Sequence, residues 1–309
     1  MASRPKYADL PNGSAWDLLD PAMGSLALLT PARVAAAAKL VQSGKRFPLD
    51  LMLDQPSPPL FGREPYRHDL FPYGIPNVFD DKLDNFYPQG STQWDGFGHF
   101  GHPQLGMFGG RSGDDIMNRS LGVEAWAQTG IAGRGVLLDA ARHLDIPGNE
   151  AFLITPDHLA RVAEAQGVEL HEGDVLCVRV GWLAHYRTLD QAGREEISRA
   201  SQGEYDKFKM PGLGPGKALA EYLWDHGVAA IAVDNPAVES FVGVSLEGEP
   251  DMVHTAVLAM LGIPLGEFFD LDDLAEDCAA DGRYEFLFTS KPLGIPGGVG
   301  SPPNAMAIK

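Results

Sequence analysis

The sequence predicts an α/β protein in which a mixed sheet is covered by helices. Three observations carry this. Short apolar runs alternate with capped amphipathic segments over residues 135–290, the pattern of strands and helices succeeding one another along one chain. The chain has 309 residues, 44% hydrophobic and 21% charged, which supplies a sizeable core and is far from the composition of disorder. No internal repeat or composition break divides it, so the reading is an extended N-terminal arm (1–30) followed by a single domain (31–309).

Pro11, Gly13, Pro21 and Gly24 punctuate the arm. Thr30 can cap a helix, Pro31 suits its first turn, residues 32–42 are rich in helix formers, and Gly44 ends it. Residues 46–54 alternate in part and read as a strand. Residues 55–80 are dominated by Pro, Gly and aromatics without a strong period. They read as a long ordered loop of the kind that walls pockets. Residues 135–139 are a short buried strand, and Thr155-Pro156-Asp157 opens a helix running to Gln166 and stopped by Gly167. A turn and strand follow at 173–180, a polar helix at 187–199 and an amphipathic helix at 215–226. The buried strand 227–234 stops at Asn235-Pro236. Helices at 251–261 and 271–279 and a strand at 284–289 complete the series.

Charge excludes one class of partner. Lys and Arg number 24 against 42 Asp and Glu, a net −18, so the chain repels phosphate backbones and no nucleic-acid role is expected. An anionic small substrate stays open, because a local pocket can oppose the global field. Cys177 and Cys278 form no C-x-x-C pair, so neither a disulfide framework nor a cysteine zinc site is implied. The apolar runs 228–233 and 256–261 are too short to cross a bilayer, and the first residues lack an apolar signal core. A cytoplasmic protein without a membrane partner is the expectation.

The strong nucleotide and hydrolase motifs are absent: no G-x-x-x-x-G-K-[ST], no G-x-S-x-G, no H-E-x-x-H. One segment stands out, QGSTQWDGFGHFGH over residues 89–102, which packs Gln93, Trp94, Asp95, His99 and His102 among glycines that permit tight turns. Asp and His are the groups that a divalent metal or a general-base step needs. His254 and Glu267 form a second cluster, the first on a helix and the second beyond its Gly262-Ile263-Pro264 stop. A third, Asp234 to Glu239, follows a buried strand, where α/β proteins gather functional groups and where turn formation is the competing role.

Taken together these pieces resemble the cyclase family of hydrolases, the superfamily of bacterial kynurenine formamidase and isatin hydrolase. The family motif H-x-G-T-H-x-D-x-P-x-H falls in register on Gln89 through His99, and similarity continues through GDVLCVRVGW, AVDNPAVE, H…LGIPLGE and GSPPNAMAI. The resemblance implies a kynurenine formamidase-like (swivelling β/α/β) fold and a homodimer or homotetramer. It implies metal ligands at Gln89, Gln93, Asp95, His254 and Glu267, of which the first two are glutamine where the family has histidine. It places the general acid/base on His99.

Losing two imidazoles leaves two readings of the site. An oxygen-rich set can hold a divalent ion, Mn²⁺ or Zn²⁺ as candidates, with oxygen donors favouring Mn²⁺ or Mg²⁺. Alternatively the site is metal-free and Asp95 orients His99. The implied function is hydrolysis of an amide, cyclic amide or lactone in a small ring-bearing substrate. In that scheme His99, Asp95 and Gln93 are catalytic, with Gln93 at the oxyanion, and Trp94, Phe97, Phe100 and His102 contact substrate. The competing expectations are a metal-independent cyclase or dehydratase on the same fold, and a binding protein whose site has decayed.

Overall fold

The computed structural model describes residues 4–241 and 251–309. Its strands among these residues are β1 (Arg46–Pro48), β2 (Arg67–Pro72), β3 (Phe79–Asp84), β4 (Gln93–Asp95), β5 (Ile131–Asp139), β6 (Leu153–Ile154), β7 (Val175–Arg179), β8 (Gly212–Leu213), β9 (Ala230–Val233), β10 (Leu265–Glu267), β11 (Glu285–Ser290), β12 (Gly300–Ser301) and β13 (Ala305–Ile308). Nine of them form one sheet in the order β1-β13-β11-β5-β7-β9-β10-β4-β12. Its centre, β5 to β10, is parallel, and both flanks are antiparallel. The expected mixed sheet with covering helices is therefore the architecture found.

The central strands explain why the sequence was readable there. Every residue of β9 is buried, and in β7 only Arg179 is not fully so, because helices cover both faces of a parallel sheet. Continuous apolar runs are the result. Pro156–Gln166 is a helix as expected, with Thr155 accepting from the His158 amide and Gly167 left-handed at its end. Gly216–His226 closes in the same way on Gly227.

Four expectations need correction. The strand expected at 46–54 is only β1, since the chain leaves the sheet after Pro48. The loop expected at 55–80 contains β2, and β3 pairs with it from Phe79 on as a hairpin. Nearly every residue of this hairpin is exposed, so no inside–outside alternation marks it in sequence. The helix expected at 187–199 is two, Trp182–Thr188 and Gln191–Ala200, because Asp190 caps the second by accepting from the Gly193 amide. The helix at 251–261 widens to a π-helix at His254–Ala259.

Residues 5–25 run across the domain's own surface. The Trp224 indole donates to the Pro5 carbonyl, the Trp16 indole to the Ala259 carbonyl at 2.7 Å, and Ser25 to the Ala229 carbonyl at 2.7 Å. Among the described residues no helix is long and apolar enough to cross a membrane.

Candidate active site

The site begins at β4, a three-residue strand of alternating side chains. Gln93 and Asp95 face one way and Trp94 the other. The antiparallel partner β10 sets Glu267 opposite Gln93 and Gly266 opposite Trp94. Cross-strand partners share a face, so the two carboxylates and the carboxamide meet on one side of the sheet. On the far side Trp94 packs on Phe269 at 4.9 Å between centroids and donates to Ser290. A side chain at position 266 would strike the Trp94 and Phe269 rings, so glycine is required there by close approach.

Gln93 ties the two carboxylates together. Its side-chain NH₂ donates to Glu267 at 2.5 Å and to Asp95 at 3.3 Å. Both N–H bonds are thereby used.

His254 arrives on the first turn of the π-helix, and Glu239 fixes it there. One Glu239 oxygen accepts from the Val253 amide at 2.8 Å, and the other lies 2.5 Å from His254 Nδ1. A carboxylate on Nδ1 makes that nitrogen the donor and turns Nε2 inward. Nε2 lies 3.4 Å from Asp95 Oδ2 and 3.4 Å from Glu267 Oε1. One nitrogen facing two carboxylate oxygens is satisfied by a proton on His254 or Glu267, or by a bound cation.

The charge balance follows from this geometry. Burial disfavours the His254 cation, yet its contacts with Asp95, Glu239 and Glu267 prevail and hold its pKa well above the usual imidazole range. Burial and the Asp95 charge push Glu267 up to about 7. Burial works against Asp95 ionising as well, but the neighbouring His99 and His254 outweigh it and its pKa falls. His99 Nε2 is 3.6 Å from Asp95 Oδ1, beyond a direct hydrogen bond. The Asp95 charge draws the His99 pKa up, but burial and the charges of His254 and Arg63 win, and it lies below the usual imidazole value.

The donor set fits a divalent cation. Asp95, His254 and Glu267 each offer one ligand atom, all within 4.8 Å of one another. Among the described residues, buried Asp95 Oδ2 has no hydrogen-bond partner. One imidazole nitrogen and carboxylate oxygens are ligand types shared by Mn²⁺ and Zn²⁺.

The structure sorts the expected residues. It brings together Gln93, Asp95, His99, His254 and Glu267, and it sets Phe100 against His254 with centroids 5.1 Å apart. It does not bring Trp94, Phe97 or His102 to the cavity. Trp94 is on the opposite face of the sheet. Phe97 is buried between Phe108 and Trp126, at 4.7 and 5.0 Å. The His102 ring accepts from the Gln104 and Leu105 amides and lines a separate groove with Tyr7 and Lys217. Gln93 has no free N–H for an oxyanion, and its oxygen is not the atom turned to the carboxylates. Gln89 lies over Gly300, which is paired with Asp95, at the rim of the cluster.

Sequence reasoning named Glu239 only as the end of the Asp234–Glu239 cluster, without its partner His254, and missed Arg63, Phe61 and Phe241. The last three wall a cavity of about 140 Å³ that opens on His99, His254 and Glu267. Glu239 stood in plain view after the Asn235-Pro236 turn, but no spacing ties it to His254. Asp234, from the same cluster, accepts from the Val180 and Gly181 amides at 2.5 and 2.9 Å, which makes its role structural.

Comparison with known proteins agrees with this architecture. The family model described as "Putative cyclase" matches residues 47–240. A crystal structure described as a novel cyclase superposes with a TM-score of 0.83 at 31% identity, covering 96% of this chain and 99% of that one. Isatin hydrolase A from Labrenzia aggregata gives 0.62 at 18%, covering 88% and 94%. A "predicted metal-dependent hydrolase" from Bacillus stearothermophilus gives 0.52 at 14%, covering 85% and 97%. The last two likenesses are of fold. No curated protein matches. By the match over residues 47–240 and the 31% identity across nearly its whole length, this chain belongs to the cyclase family.

Proposed function

We propose that the chain hydrolyses an amide, cyclic amide or lactone bond in a small ring-bearing substrate, as a homodimer or homotetramer, with His99 as general base. The observation that carries this reading is the His99 imidazole facing a small aromatic-walled cavity beside buried Asp95, His254 and Glu267. His99 takes a proton from the attacking water and returns it to the leaving nitrogen or oxygen. Asp95, 3.6 Å away, stabilises the imidazolium formed between these steps. Phe61, Phe100 and Phe241 line the cavity and offer apolar faces to a flat ring. Asp95, His254 and Glu267 would hold a divalent cation, whose chemistry when bound is Lewis-acid polarisation of the scissile carbonyl. Glu239 keeps His254 Nε2 turned inward, and Gln93 sets the spacing of the two carboxylates.

A metal-independent reading is favoured by one observation: a protonated His254 could itself bridge Asp95 and Glu267. Elemental analysis of protein purified without chelator separates the two, with about one divalent ion per chain expected on the first. Turnover of arylformamides, lactones and cyclic imides in ¹⁸O-water tests the reaction itself. Label in a product carboxylate is expected. No turnover by metal-loaded or stripped protein would refute hydrolysis, and release of water without label would mark a dehydratase.

A further inference from the structure

The cavity beside His99 has one permanent cation in its described wall, Arg63. The remaining ionisable groups there are carboxylates and imidazoles, and the rest of the wall is apolar. A volume of about 140 Å³ suits a single aromatic ring, since a cavity of roughly 150 Å³ takes up benzene.

The segment carrying Arg63 is built rather than loose. Ser198 donates to the Pro59 carbonyl at 2.7 Å, and the Phe61 amide donates to Ser201 at 2.8 Å, so the helix Gln191–Ala200 and the residue after it pin residues 59–61. Phe61 is left-handed (φ 58°), a conformation rare for a bulky side chain, and its ring packs edge-on against Phe208. The Arg63 guanidinium lies 5.4 Å from the Phe61 centroid, within stacking range. No carboxylate among the described residues closes on it as an ion pair. A planar, stacked guanidinium presents parallel N–H donors, the geometry that grips a carboxylate at two points. The whole chain is strongly acidic and the cavity floor is carboxylate, so without such a cation an anion would be repelled.

We propose that Arg63 is the specificity-determining residue of this cavity and selects ring substrates that bear a carboxylate. The proposal rests on the hydrolase reading for the word substrate, but the recognition it describes is a binding property testable without turnover. Isothermal titration of the full chain with benzoate and with benzamide measures it. Benzoate is expected to bind the wild type and to lose roughly tenfold or more in Arg63→Met, the range of a charged hydrogen bond. Arg63→Lys is expected to recover part of that loss, and benzamide to bind all three proteins alike. Benzoate that fails to bind the wild type, or that binds Arg63→Met equally well, overturns the proposal whatever the catalytic assays show.

With a turned-over lactone or formamide, Arg63→Met should raise the KM of the carboxylated substrate roughly tenfold more than that of its neutral analogue. An equal change in KM for the two substrates would overturn the anchoring role.

Discussion

Asn235 holds two strained turns at once. Its side-chain NH₂ donates to the Pro211 and Val238 carbonyls, and its own carbonyl accepts from the Phe268 amide. Val238 (φ 58°) and Phe268 (φ 55°) are both left-handed, and each is the chain neighbour of a site carboxylate, Glu239 or Glu267. Asn235→Ala should therefore lower stability by about 1–3 kcal/mol through orphaned carbonyls, read from the urea midpoint. Asp234 beside it gives a pH signature. Burial pushes its pKa up to about 7, so its proton is held in the fold but lost from the unfolded chain near the ordinary 3.8. Its stabilising contribution is full below that lower value and disappears as pH rises through about 7. The urea midpoint of Asp234→Asn should vary less than wild type between these limits. At this scale Asp95, His99, His254 and Glu267 were legible because residue type and order carry them. The side-chain directions of Trp94 and Phe97 were not, since a three-residue strand shows its alternation only once its partners are known.

Strand pairing is what makes the site, and it rests on small features. At position 266 an added methyl would meet two aromatic rings within 2.6–2.7 Å. Gly266→Ala should cost about 1–3 kcal/mol by overpacking and should disturb the register of Glu267 against Gln93, visible as lower Tm and activity together. The π-helix and Glu239 form the other half. Glu239→Gln should leave the fold intact and, on the proposed metal reading, weaken divalent-metal affinity roughly 10–100-fold, measured by competition with a chelating dye, because the carboxylate that turns His254 Nε2 inward loses its charge. Elements buried on both faces were readable as runs, and capped helices by their Thr-Pro and Gly signals. The hairpin β2–β3 was hidden because neither face is inside, and the π-helix because its widening depends on what packs around His254.

The whole molecule leaves that hairpin uncovered. Of fourteen large apolar side chains exposed among the described residues, seven lie between Leu70 and Leu83. Across its own strands Arg67 pairs with Asp84, Lys82 with Asp69, and the His68 ring meets Asp81, so most of the hairpin's charged groups are engaged within it and the apolar side chains are what it presents outward. Light scattering on a sizing column should give a mass of two or four chains, and Leu70→Asp with Phe79→Asp should reduce it to one. The domain's mixed sheet was legible from alternating elements. That segments 170 residues apart converge on one face was carried in sequence only by the family motif, and in the structure it is the β4–β10 pairing.

The most direct test of the site is the rate of His99→Ala against wild type on whichever lactone or formamide the wild type turns over. Loss of about 10²–10⁴-fold in kcat with an unchanged Tm is the expected result. A variant that keeps wild-type kcat would contradict the assignment of His99 as the base, and with it the proposed mechanism.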